Sequence, residues 1–137
     1  MRRSIDDLQV GDRYVEDVVF TPEWTNRFLE LSRDRSSVHV DADSAREQGY
    51  ERLLVHGFLL GLAFSRILGM ELPGEDAVIG SIDLKFHDAV YVGETVTYTT
   101  TVRRVLKPLA TVALDLEARK ADGTVCVAGG STCVFRR

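Results

Sequence analysis

The chain has 137 residues, of which 45% are hydrophobic and 28% are charged, a composition typical of a folded domain. This length is too short for two halves with separate cores, and the apolar content excludes disorder of the whole chain. Lysine and arginine number 17 against 21 aspartate and glutamate residues, which gives a formal net charge of −4. We therefore expect one domain over residues 1–137 that does not bind nucleic acid.

The sequence contains no feature that favours export or membrane insertion. The first seven residues lack the apolar core of a signal peptide, and the longest apolar run, Phe58 to Leu68, is too short to span a bilayer. Cys126 and Cys133 are separated by an odd number of positions in one predicted strand, so they point to opposite faces and are not expected to pair. These features predict a cytoplasmic protein with reduced cysteines and no membrane partner.

The first predicted elements are a strand over residues 12–20 and a helix that follows directly. Thr21 is a favourable N-cap, and Pro22 fits the first helical position. Three apolar residues then recur at helical spacing and are predicted to pack on the core: Trp24, Phe28 and Leu31.

A polar segment from Ser32 to Ser37 has neither helical nor strand periodicity and is predicted to be a loop. Asp41 is expected to cap a short helix that continues to Gln48 and ends at Gly49.

The longest apolar helix is predicted over Gly57 to Leu68, with apolar residues around most of its circumference. We expect it to be buried on nearly every side. The remaining positions form a stripe of small residues that allows close approach of another group: Gly57, Gly61, Ser65 and Gly69.

The second half of the chain has the alternating pattern of β-strands. At least four long antiparallel strands are predicted, with a hairpin turn at Asp122-Gly123 and a bulge or sharp curl at Gly129-Gly130. A helix that is apolar nearly all round needs a sheet that wraps it. The predicted fold is therefore α+β, a hotdog fold in which a curled antiparallel sheet surrounds one long central helix.

Asp34 and His39 are the candidate catalytic residues, because a carboxylate and an imidazole on one short segment can act on the same water. The alternative is that both are solvated or cap turns. His56-Gly57 leads into the long helix, whose first N–H groups are unsatisfied and can polarise a carbonyl oxygen. Alternatively, Gly57 serves only to start the helix against a strand.

These residues resemble a known family. The segment Ser32-Arg33-Asp34-Arg35-Ser36-Ser37-Val38-His39-Val40-Asp41 is similar to the Ser/Thr-Gly-Asp-x-Asn-Pro-Ile/Leu-His-x-Asp signature of MaoC-like, (R)-specific enoyl-CoA hydratases, also called hydratase 2. Leu54-Val55-His56-Gly57-Phe58-Leu59 resembles the family's Ile-Val/Ala-His-Gly-Met-Leu. The resemblance continues through residues 72–74, 82–86 and 92–96, and so covers nearly the whole chain.

The resemblance implies that Asp34 and His39 form the catalytic pair for (R)-specific hydration of a trans-2-enoyl thioester, or for the reverse dehydration. His39 would be the base that activates water and Asp34 the acid for the α carbon, while the Gly57 N–H binds the thioester oxygen. Ser36, Ser65 and His56 would be substrate-binding residues, with ordering of the helix entry as the alternative for His56. No metal and no cofactor are expected, because coenzyme A or acyl-carrier protein carries the substrate.

Three residues depart from the family signature: Arg33 replaces glycine, Ser36 replaces asparagine and Ser37 replaces proline. These changes keep two alternatives open, a hotdog thioesterase in which Asp34 directs water at the thioester carbonyl, and a non-catalytic module that binds an acyl thioester or a partner. Because the predicted strands are long and have exposed edges, we also expect a homodimer or a dimer of dimers.

Overall fold

The computed structural model describes residues 2–136, in which five antiparallel strands form one sheet with the order β1-β3-β4-β5-β2. The strands are β1 (Arg13–Val19), β2 (Ala77–Phe86), β3 (Thr95–Leu106), β4 (Thr111–Lys120) and β5 (Val125–Phe135). The helices are α1 (Pro22–Ser32), α2 (Ser37–Val40), α3 (Ala42–Glu47) and α4 (Gly57–Met70). No helix in this part of the chain is long and apolar enough to cross a bilayer.

The predicted helix starts are confirmed by their caps. The Thr21 side chain accepts a hydrogen bond from the Trp24 N–H at 3.2 Å, and Pro22 is the first residue of α1. The Asp41 side chain accepts from two N–H groups at the start of α3. The short helix α2 was not predicted, because four residues are too few to produce a hydrophobic period.

The predicted apolar stripe of α1 is only partly correct. Phe28 packs against the core, but the Leu31 side chain is 80% exposed and Trp24 is 37% exposed. The buried residue of α1 is Thr25, whose hydroxyl donates to the Pro22 carbonyl at 2.9 Å. The side of α1 that faces the core is therefore centred between Thr25 and Phe28, which turns Leu31 toward solvent.

Helix α4 lies on the concave side of the sheet and supplies much of the core. Its buried residues are Leu59, Leu60, Ala63, Phe64, Ile67 and Leu68. Tyr98 on β3 is fully buried and donates its hydroxyl to the Leu60 carbonyl at 2.8 Å. The prediction that α4 is buried on nearly every side is wrong, since Phe58 is 82% and Leu62 43% exposed. The curled sheet covers one side of α4, and the other side is open in a single chain.

The Gly129-Gly130 pair allows a close strand approach and does not form a bulge. A Cβ on Gly129 would lie 1.8 Å from the Asp83 carbonyl oxygen, so only glycine fits between β5 and β2. Both glycines keep a regular pairing register, and the sheet irregularities lie elsewhere, for example around Gly80. Of the two alternatives predicted at Gly129-Gly130, a bulge or a sharp curl, the bulge is therefore wrong. Cys126 and Cys133 on β5 are both buried and free.

Candidate active site

The loop between α1 and α2 carries the first candidate catalytic residue. Arg33 ends α1 in the left-handed conformation (φ 61°), and its N–H donates to the Leu29 carbonyl at 2.8 Å. This position favours glycine, and a residue with a Cβ pays roughly 1–2 kcal/mol to adopt it. Ser37 is the first residue of α2, a position that proline fits well. Two of the three departures from the signature, Arg33 and Ser37, therefore fall where glycine and proline would stabilise the loop.

The Asp34 carboxyl group is held by its neighbour Ser36. Asp34 Oδ1 accepts from the Ser36 hydroxyl at 2.5 Å and from the Ser36 N–H at 3.1 Å. These two hydrogen bonds, the hydroxyl first, lower the pKa of Asp34 below its usual range, with smaller contributions from His39 and His56. The exposed Asp34 side chain is therefore a carboxylate at neutral pH.

His39 lies on α2 and is oriented by the segment that precedes α4. Its Nδ1 lies 2.8 Å from the Leu54 carbonyl oxygen. A carbonyl only accepts hydrogen bonds, so Nδ1 carries the proton of this contact and Nε2 is left for chemistry. The Leu54 N–H in turn donates to the Val38 carbonyl at 3.0 Å, which ties the two segments together.

His56 precedes α4 and brings Asp34 and His39 together. Its Nε2 lies 3.0 Å from the Asp34 main-chain carbonyl, and its ring stacks on that of His39 at a centroid distance of 3.9 Å. One nitrogen or carboxylate oxygen from each of the three residues lies within 4.8 Å of the others. The predicted pairing of Asp34 with His39 at the start of the long helix is therefore present in the structure.

A cavity of about 390 Å³ opens beside Asp34 and His56, whereas His39 is not among the residues that line it. It is lined by Phe28, Ser32, Asp34, His56, Gly57, Phe58 and Phe86. Gly57 is exposed at the first position of α4, where the N–H groups have no partner within the helix. A Cβ on Gly57 would meet the Phe86 ring at 3.7 Å, an ordinary contact. Glycine is therefore not required here for backbone reasons, and its absent side chain leaves the N–H accessible.

The remaining predicted site residues, Ser36 and Ser65, lie in different surroundings. The Ser36 hydroxyl is bound to Asp34, so Ser36 acts first on the carboxylate. Ser65 is exposed on α4, about 12 Å along the helix axis from Gly57 at 1.5 Å per residue, and does not line the cavity that holds Asp34.

Sequence reasoning missed Leu54 as the residue that orients His39, and Phe28 and Phe86 as the aromatic walls of the cavity. Nothing in the sequence indicates which main-chain carbonyl will accept a hydrogen bond from a histidine side chain. Phe86 was recognisable only as the last apolar residue of a predicted strand.

The group formed by Asp34, His39 and His56 is the candidate metal site in the described part of the chain. The two imidazole rings are nearly parallel, with 19° between their planes. The lone pair of an imidazole nitrogen lies in the plane of its ring. Two stacked rings therefore direct their lone pairs along parallel planes, and a metal ion cannot lie about 2.0–2.1 Å from a nitrogen of each ring in the direction of both lone pairs. The arrangement does not fit a metal ion, and we derive no chemistry from one.

Comparison with known proteins identifies the family. A family model described as a MaoC like domain matches residues 9–115. The chain belongs to the MaoC-like family. It is 35% identical over 111 residues to an (R)-specific enoyl-CoA hydratase from Aeromonas caviae, a match that covers 80% of this chain and 83% of the relative. It is 41% identical over 87 residues to a mitochondrial 3-hydroxyacyl-[acyl-carrier-protein] dehydratase from Arabidopsis thaliana, covering 64% of this chain and about half (51%) of that protein.

Solved structures confirm the predicted hotdog fold of this MaoC-like chain. The (R)-hydratase from A. caviae involved in PHA biosynthesis superimposes with a TM-score of 0.89 at 29% identity, covering 94% of this chain and 98% of that one. The R-hydratase PhaJ1 from Pseudomonas aeruginosa superimposes with a TM-score of 0.90 over 98% of this chain and 86% of that one, at 23% identity. The predicted family is thereby confirmed, and the names of the relatives agree with the predicted class of enzyme.

Proposed function

We propose that this protein catalyses the (R)-specific hydration of trans-2-enoyl thioesters to (R)-3-hydroxyacyl thioesters, or the reverse dehydration. The observation that carries the proposal is the grouping of Asp34 with His39 and His56, together with a cavity that both Asp34 and Gly57 line. Hydration across a conjugated double bond needs an acid–base group near one water and a donor for the carbonyl oxygen, and Asp34, His39 and Gly57 supply both. The relative named as an (R)-specific enoyl-CoA hydratase supports the stereochemistry.

The ionisation of Asp34 changes the roles expected from the sequence. A carboxylate whose pKa is lowered has no proton to give to the α carbon. We therefore assign proton transfer to His39: its Nε2 takes a proton from water as the water oxygen bonds to the β carbon, and the same proton then bonds to the α carbon. Asp34 accepts a hydrogen bond from the water and stabilises the transient imidazolium. Hydration consumes one water, and the imidazole is neutral again at the end.

The start of α4 stabilises the negative charge that develops on the thioester oxygen during this addition. The N–H groups of Gly57 and Phe58 are at the positive end of a 14-residue helix. Donors fixed in advance at the place where charge develops are among the strongest contributions to catalysis. Electron density moves from the double bond toward this oxygen, so the α carbon becomes ready to accept the proton from His39.

The experiment that tests the proposal uses purified protein and crotonyl-CoA, with crotonyl-acyl-carrier protein in parallel because relatives of both kinds exist. Loss of the enoyl absorbance without release of free thiol, and formation of the (R)-3-hydroxy product on chiral analysis, is the expected result. Release of free coenzyme A contradicts hydration and favours a thioesterase. Tight binding of both thioesters with neither reaction favours the non-catalytic alternative.

The hydrogen bonds from Ser36 give a prediction about pH. Because they lower the pKa of Asp34, the carboxylate persists to a lower pH than in an unfolded chain, and it is lost as the pH falls through the lowered value. Ser36→Ala removes the larger of the two hydrogen bonds, so we expect the pKa of Asp34 to rise toward its usual range. An NMR titration of the Asp34 carboxyl carbon measures this. Ser44→Ala is the matched change, because it removes a similar hydroxyl bond from Asp41 and should leave the Asp34 titration as in the wild type. An unchanged Asp34 titration in Ser36→Ala contradicts the assigned cause.

A second prediction concerns Gly57. Gly57→Val places a branched side chain beside the helix N–H and is expected to lower kcat/KM by roughly 10²–10³-fold, the usual effect of losing such a donor. Gly57→Ala should have a smaller effect and fold normally, because its Cβ meets Phe86 at an ordinary 3.7 Å. Steady-state kinetics and thermal melting measure both variants. Wild-type turnover in Gly57→Val removes this N–H from the mechanism.

A second copy of this chain is the partner proposed for the edge strand β2. Apolar side chains on this strand are exposed, with Ile82 at 42% and Phe86 at 49%, and they continue the open side of α4 at Phe58. An exposed apolar edge strand is a template for pairing with another strand. Both edge strands carry two exposed charges, Arg13 and Asp17 on β1 and Asp83 and Lys85 on β2, so what distinguishes β2 is its continuity with the open side of α4. We therefore expect a homodimer that joins β2 strands and completes the wall of the cavity beside Phe58.

Light scattering after size exclusion tests this dimer. Ile82→Lys is expected to shift the wild-type dimer toward the monomer mass. The control, Val15→Lys, places the same charge at an exposed valine on β1 and should leave the dimer intact. A monomeric wild type, or an unchanged dimer in Ile82→Lys, contradicts pairing through β2.

A further inference from the structure

The His56 side chain is only 2% exposed, although it borders the cavity that holds Asp34. Its ring contacts two aromatic rings, that of Phe28 at a centroid distance of 4.9 Å and that of His39 at 3.9 Å. These contacts leave His56 almost no surface with which to touch a bound thioester. The substrate-binding role expected from the sequence therefore does not explain why a histidine is present here.

One nitrogen of His56 holds the main chain of Asp34. Its Nε2 lies 3.0 Å from the Asp34 carbonyl oxygen, so this nitrogen carries a proton and donates it. The loop around Asp34 belongs to no helix or strand, and side chains supply much of its hydrogen bonding. The bond from His56 attaches this loop to the start of α4, the same point at which the Gly57 N–H is exposed.

The other nitrogen of His56 has no hydrogen-bond partner. Nδ1 is fully buried and unpaired within residues 2–136. A buried acceptor without a donor costs free energy, and an aromatic ring without nitrogen would fill the same space without that cost. The benefit that offsets this cost lies in the one contact that phenylalanine cannot make, the N–H bond to the Asp34 carbonyl.

The ring of His56 also limits the movement of His39. The two imidazoles are nearly parallel, at 19°, and the Nδ1–H of His39 is fixed on the Leu54 carbonyl at 2.8 Å. A ring held by one hydrogen bond can still rotate about it, whereas a stacked neighbour fixes the ring plane. The direction of His39 Nε2, the atom assigned to proton transfer, is therefore set by Leu54 and His56 together.

We infer that His56 is a positioning residue that aligns both members of the catalytic pair, Asp34 through its main chain and His39 through its ring plane. This inference rests on the proposed function for its kinetic consequences but on contacts alone for its geometry. It predicts that the loss of His56 lowers kcat and leaves KM nearly unchanged, because the substrate does not bind to it. Small errors in the placement of reacting groups lower rates by up to about 10²-fold.

Two variants separate the contributions of the ring and the N–H. His56→Phe keeps a ring that stacks but removes the donor, and we expect kcat to fall between about tenfold and 10²-fold with the melting temperature maintained. His56→Gln keeps a donor near the position of Nε2 and should recover part of the lost kcat despite losing the ring. Ile67→Val, a buried change in the same helix, is the control that lowers stability without touching the pair. It should leave kcat unchanged.

Wild-type kcat in His56→Phe, or a loss that appears entirely in KM, overturns the inference. If the wild-type protein hydrates no enoyl thioester, the proposed function fails, and the geometry is tested by NMR instead. The amide signals of residues 33–36 and the ring signals of His39 should shift, and the amides should exchange faster, in His56→Phe but not in Ile67→Val. Unchanged signals in His56→Phe overturn the inference whatever the activity.

Discussion

Asp34→Asn is expected to lower hydratase turnover by about 10²–10⁴-fold while the protein remains folded. The amide has nearly the shape of the carboxylate, but it lacks the negative charge that orients water and stabilises an imidazolium on His39. The Asp34 side chain is exposed, so the substitution leaves no buried group unpaired and the melting temperature should change little. Turnover of crotonyl-CoA and thermal melting measure the two effects.

Asp41→Asn is the matched control for this change. Asp41 is an exposed aspartate seven positions along the chain, and its pKa is also lowered by hydrogen bonds, first from the Ser44 hydroxyl. Asparagine caps a helix about as well as aspartate, so α3 should be retained. We expect normal turnover in Asp41→Asn. Equal turnover in Asp34→Asn and the wild type would remove the carboxylate from the mechanism.

His39→Asn is expected to have an effect of similar size. The asparagine amide can replace the Nδ1–H that donates to the Leu54 carbonyl, so the contact between α2 and the segment before α4 should persist. No atom of asparagine replaces Nε2, the group proposed to move the proton between water and the α carbon. We therefore expect kcat to fall by about 10²–10⁴-fold with substrate binding largely retained.

The measurement for His39→Asn is kcat and KM for crotonyl-CoA, together with the melting temperature. His39→Gln complements it, because glutamine places a polar group near Nε2 that cannot take up a proton at neutral pH. Both variants should therefore be inactive. If His39→Gln retained full turnover, a group that only binds water would suffice, and proton transfer by His39 would be wrong.

The local features of the fold were predictable because they depend on neighbouring residues. The caps at Thr21 and Asp41 follow from single side chains that satisfy helix N–H groups, and the strands follow from alternation. The predictions that failed concern burial, because a pattern of apolar residues does not show whether another element packs against them. Leu31 has helical spacing but points to solvent, and Phe58 belongs to an apolar helix whose outer side the sheet does not reach.

The sequence predicted which residues form the candidate site, but it did not predict how their side chains are oriented. Asp34 and His39 are close in sequence, and the segment that joins them is too short to separate them widely. The lowered pKa of Asp34 depends on the orientation of the Ser36 hydroxyl, and the tautomer of His39 depends on the Leu54 carbonyl, 15 positions away. Neither orientation leaves a sequence pattern, because a main-chain carbonyl is present at every residue.

The sequence by itself determined the hotdog architecture, the membership in the MaoC-like family, and the residues Asp34, His39 and Gly57 as candidates for chemistry. The architecture follows from periodicity, and the family and the candidate residues follow from the resemblance of residues 32–41 and 54–59 to a known signature. The tertiary structure alone decided that Ser36 lowers the pKa of Asp34, that the Leu54 carbonyl occupies Nδ1 of His39, and that His56 contacts both residues. The contacts of Leu54 and His56 depend on distances of about 3–4 Å between segments far apart in sequence, which are fixed only when the chain folds.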